Sequence, residues 1–126
     1  RNKEDPVTQL LARLNAKTTA QGVRIRFETI YAYYGPVWGS SDMQRRIVDL
    51  TAHGITINGV SASWQSLRRC ELGTSHTGHG RVELEFRNGR IVHLWGKGFS
   101  TEDLIALVVY IDELRAEAIV ADDEAK

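Results

Sequence analysis

The chain has 126 residues, 42% hydrophobic and 25% charged, which suits one compact domain able to bury about two-thirds of its unfolded surface without disulfides. Sixteen Lys and Arg balance sixteen Asp and Glu, so no overall positive field exists to draw nucleic acid or an acidic membrane, and such a contact would have to be local. A single cysteine excludes an internal disulfide and fits a reducing, cytoplasmic setting. The chain opens on Arg1 rather than methionine, as expected of a piece of a longer protein, from which a signal or membrane tether could have been removed. The longest apolar run, Leu104 to Ile111, is eight residues, far short of the ~20 that span a bilayer.

Asp5-Pro6 reads as a cap and a first-turn proline, and Val7, Leu10, Leu11 and Leu14 then share one face of a short amphipathic helix. After Gly22 the pattern changes. "VRIRFETIYAYY" alternates Val23, Ile25 and Phe27 with Arg24, Arg26 and Glu28, predicting a strand that Gly35-Pro36 ends. "RRIVDLTA" and "GITI" predict two more strands around a turn at His53. Asn58-Gly59 is a hairpin signal leading into "VSAS". "LRRCELG" is a fifth strand, with Leu67, Arg69 and Glu71 alternating with Arg68, Cys70 and Leu72.

"RVELEFR" and "RIVHLWG" flank Asn88-Gly89 and complete a count of seven strands. With Gly89 left-handed in a three-residue loop, Phe86 pairs with Arg90, Val92 and Leu94 join Leu84 and Val82 inside, and His93 faces Glu83 outside. A two-residue loop would bury His93 instead, hiding less apolar surface. Ser100 and Asp103 form a capping box, with Phe99 and Leu104 as a staple. The helix they open buries Leu104, Leu107, Val108, Ile111 and Leu114 and solvates Asp112, Glu113, Arg115 and Glu117. "ADDEAK" reads as a frayed tail.

Two segments, "DLTAHGITINGVSASWQSLRRCEL" and "GRVELEFRNGRIVHLWGKG", carry a resemblance to the bacterial pleckstrin-homology-like (PH-like) domain family over about Arg24 to Glu117. The resemblance implies a mostly β fold: a seven-stranded, partly open orthogonal barrel capped by a C-terminal α-helix, here with a short extra N-terminal helix. The domain division follows: residues 1–21 as helix and linker, 22–120 as the PH-like domain, and 121–126 as an acidic tail.

Cys70 to Gly80, "CELGTSHTGHG", gathers a thiol, His76, His79 and three glycines. Its C-x5-H-x2-H spacing matches no usual zinc site and lacks a fourth ligand nearby, so neither metal nor cofactor is expected there. The glycines suit a wet loop, and Cys70 suits packing. No nucleophile elbow or P-loop is present, Gly96-Lys97-Gly98 lacking the upstream glycine, so no catalytic residue is assigned and an enzyme is not expected.

Eukaryotic relatives of the resembled fold bind phosphoinositides through basic residues near the first two strands. Arg24, Arg26, Arg45 and Arg46 lie there, but "GPVWGSSDMQ" between them contains no Lys or Arg. The expected role is therefore non-catalytic binding or scaffolding through a protein partner or self-association. A membrane-surface or lipid-headgroup module, with weak membrane contact, is the first alternative, and a small enzyme or immunity-type protein is the second. The expected partner-binding residues are Tyr33, Tyr34, Val37, Trp38, Met43, Arg45 and Arg46, because aromatics and methionine in a surface loop mark interaction sites. Trp38 folded back onto the barrel is the alternative at that loop.

Overall fold

The computed structural model describes residues 5–13, 17–19, 22–34, 44–57, 60–74, 80–95 and 99–125. Helix α1 runs Pro6–Arg13, with Gln9 N donating to Asp5 O at 3.0 Å and closing its first turn. The strands are β1 Lys17–Thr19, β2 Gly22–Tyr34, β3 Gln44–Thr51, β4 Gly54–Ile57 and β5 Val60–Ser63, then β6 Leu67–Thr74, β7 Gly80–Phe86 and β8 Arg90–Trp95. A one-turn 3-10 helix, Trp64–Ser66, joins β5 to β6, and α2 spans Thr101–Ala125.

All described strands belong to one antiparallel sheet with the path β5-β4-β3-β2-β8-β7-β6, and β1 pairs off it onto β2. Flat, that path would hold β5 and β6 about 29 Å apart at ~4.8 Å per strand. Three residues bridge them, a reach of about 14 Å. The sheet must therefore roll. The long strand β2 serves both halves: Gly22 to Phe27 pair with β3, Thr29 to Tyr34 pair with β8, and the β3 ladder breaks between Phe27 and Ile30. Trp64 fills the corner where the two edges approach. It is fully buried, its Nε1 donates to Thr51 O at 2.6 Å, and its backbone N donates to His53 O. From the other side, Arg87 N donates to Ser66 O at 2.8 Å.

The inner face of the roll is built by period-two alternation: Ile25 on β2, Val48 and Leu50 on β3, Ile55 and Ile57 on β4, Val82, Leu84 and Phe86 on β7, and Val92 and Leu94 on β8. Helix α2 lies against β6, β7, the 3-10 turn and α1, and closes this core with Leu104, Ala106, Leu107, Tyr110, Ile111 and Ala118. Its start is the predicted box: Asp103 N donates to Ser100 Oγ at 3.1 Å, and Ser100 N donates to Asp103 Oδ2 at 3.0 Å. Phe99 is half-buried against the same core, and α1 contributes Leu10, fully buried, and Leu11.

Three expectations need correction. The seven expected strands all form, but an eighth, β1, adds to the sheet from the segment read as linker. The tail read as frayed is helical to Ala125, since Ala-rich "AEAIVADDEA" offers neither glycine nor proline as a stop. Leu67 does not share a face with Arg69 and Glu71. A register shift between Leu67 and Arg69 turns Leu67 inward, where it is fully buried.

Candidate functional site

The expected loop site is only partly placed. Tyr33 and Tyr34 end β2 and pair with Ile91 and Arg90 of β8. Arg45 and Arg46 open β3, Arg46 paired with Phe27, so the β3 ladder stops short of the two tyrosines and β8 flanks them instead. Val37, Trp38 and Met43, like His76 and His79 of the histidine loop, lie outside the described residues.

On the helix-free face, β6, β7 and β8 present a polar row. Glu71 pairs with Glu83 and Glu83 with His93, in the register that the left-handed Gly89 loop predicts, but His93, expected outside, is only 8% exposed because it is covered on that face by the other side chains of the row. Gly89 has φ of +87° and its N donates to Phe86 O at 3.0 Å. Glu83 is the hub. Arg81 donates to its Oε1 through Nε at 3.0 Å, Arg69 donates to its Oε2 at 3.2 Å while also bonding Glu71, and His93 Nε2 lies 3.5 Å from Oε1. Gly73 makes the room: a Cβ there would stand 2.9 Å from the Glu83 carboxyl carbon. Burial pushes the Glu83 carboxyl up, but the Arg81 and Arg69 hydrogen bonds outweigh it and hold the group below its ordinary value. Burial, and then the Arg81 charge, lower the His93 imidazole, with Glu83 pulling the other way. The row thus holds an ionised carboxylate whose two oxygens are already engaged beside a neutral, buried imidazole.

Cys70 points to the other face, where burial, reinforced by Asp112 of α2, pushes its thiol up to about 12. A thiol of that kind is protonated at neutral pH and is a poor nucleophile and metal ligand. Among the described residues, no three His, Cys, Asp or Glu side chains are grouped to hold a metal ion, and no helix is long and apolar enough to cross a membrane.

The second surface is on α2, outside the residues that the sequence marks as partner-binding. Ile105, Val109, Asp112, Ala116, Ile119 and Asp123 recur at alternating steps of four and three, a single stripe lying across the helix from Leu107 and Leu114. Its apolar members are exposed: Ile105 by 49%, Val109 by 44%, Ile119 by 42%, with neighbouring Val120 at 54%. Glu102, Glu113, Glu117 and Glu124 line one flank. The only base of the helix, Arg115, is on the other flank, toward β6, where its charge reaches Cys70. The signal was present in the uninterrupted apolar run Leu104 to Ile111. An amphipathic helix with one buried face has no use for Ile105 and Val109 on the opposite side.

The chain matches no protein-family profile and no curated protein sequence.

Proposed function

We propose that the chain is a PH-like domain with a non-catalytic, protein-binding role, and that the outer stripe of α2 is the surface it uses. The PH-like reading is supported by seven consecutive antiparallel strands followed by a helix, by a long strand shared between two sheet halves, and by the helix lying across the inner face. The single observation that carries the binding role is the four branched apolar side chains exposed on the side of α2 that the fold leaves unused. Exposed apolar surface of that kind, rimmed by charge, marks interaction sites. A protein fits better than a lipid surface, because the flanking glutamates and Asp112 repel anionic headgroups. The non-catalytic reading is supported by the protonated Cys70 thiol and by the occupied oxygens of Glu83.

A photo-crosslinking amino acid placed at Val109, in the chain expressed in its own host, tests the role. Protein adducts that form at position 109, and not at a control position on the outer face such as Thr56, are expected. Adducts to lipid alone would overturn the protein-binding reading.

A further inference from the structure

Resting on the reading of α2 as a protein-binding face, we infer that its occupant is a basic amphipathic helix of another protein. The spacing selects a helix. Steps of four and three make a straight seam that a second helix follows, whereas an extended strand presents side chains at every second residue. Ala116 in the middle of the seam allows the two backbones to approach closely.

Charge selects the sign of the partner. Helix α2 carries eight acidic residues against Arg115 alone within a chain that is neutral overall; Asp103 and Glu113 are engaged within the fold, and the other six, Glu102, Asp112, Glu117, Asp122, Asp123 and Glu124, are exposed. Asp122, Asp123 and Glu124 occupy its last turn with no basic residue there, although the carbonyl end of a helix favours cations. Lys126, directly after the helix, is the single base set against these three acids in the sequence, and a cationic partner would supply the rest. The same charge disfavours a second copy of α2. Pairing two copies in parallel brings Asp112 against Asp112, pairing them antiparallel about the centre of the stripe sets Ile105 against Asp123, and in either direction two acidic helices lie side by side. The complementary helix has apolar residues at the same four-and-three spacing, Lys or Arg beside the glutamate flank, and one Lys or Arg facing Asp112.

The probe is a synthetic three-heptad Leu/Lys helix, titrated into the full chain by calorimetry, alongside a scrambled peptide of the same composition and a Leu/Glu counterpart. The patterned basic peptide should bind ~tenfold or more tightly than the scrambled one and weaken as salt is added. The double variant Ile105→Ser, Val109→Ser should lose that preference while keeping the circular dichroism and urea midpoint of the parent, and Asp112→Asn should weaken it by a smaller factor. Equal binding of the patterned and scrambled peptides, or a preference unmoved in the double variant, would overturn the inference. So would tighter binding of the acidic peptide, or a concentration-dependent dimer that the double variant abolishes, since both assign the stripe to another occupant. In those cases protein adducts at position 109 would still sustain the binding role, so the two failures are separable.

Discussion

Gly89 sits in the left-handed region at φ +87°, where a Cβ is strained, so Gly89→Ala should cost about 1 kcal/mol, read as a lower urea midpoint at unchanged slope. Gly89→Asn should cost less, because Asn tolerates that conformation. The turn it makes fixes His93 opposite Glu83, and both groups leave a mark on the pH dependence of stability. The His93 imidazole is lowered from its ordinary 6.5 in the fold, so the unfolded chain takes up that proton first. Stability should then fall as pH drops below about 6.5. His93→Gln should remove this limb. Glu83 is lowered from 4.5, so its stabilising contribution is full above that value and is lost as pH falls through its folded-state pKa, giving a second, more acid limb that Glu83→Gln should remove. Urea midpoints measured from neutral to acid pH separate the two. A slope in the His93 range that His93→Gln leaves unchanged would contradict the burial of that imidazole.

Among the elements, the start of α2 was the most legible in the sequence, and Ser100→Ala should cost about 1 kcal/mol by removing the hydroxyl that accepts from Asp103 N. A thermal melt of that variant checks it, with no change in midpoint as the contrary result. Strands were legible where alternation was strict, as in Arg81 to Phe86, and hairpins where Asn-Gly or a forced turn sat between them. Strand β1 was not, because Lys17-Thr18-Thr19 has no apolar alternation and owes its place to pairing with Gly22 to Arg24. Nor was the inward turn of Leu67, since a one-residue shift in a ladder depends on the partner strand β7 and not on the strand's own pattern. The outer stripe of α2 was partly legible: the unbroken apolar run Leu104 to Ile111 puts Ile105 and Val109 opposite the buried face, but whether a second element covers them depends on the packing. The row around Glu83 was half legible: Glu83 opposite His93 followed from the turn, whereas Arg69 and Arg81 converging on one carboxylate did not.

In the molecule as a whole, the two sides of α2 differ in what they meet. Its inner side closes a rolled sheet whose edge strands meet at Trp64, and Leu107 is fully buried there. Its outer side exposes Ile105, Val109, Ile119 and Val120, the surface to which the proposed role assigns binding. The paired urea unfolding of Leu107→Ala and Val109→Ala tests this division most directly. Leu107→Ala should lose about 2 to 5 kcal/mol, while Val109→Ala, which trims an exposed side chain and raises helix propensity, should change stability by less than about 0.5 kcal/mol. A loss at Val109 comparable to that at Leu107 would place the outer stripe inside the packed core and contradict its role as a binding surface.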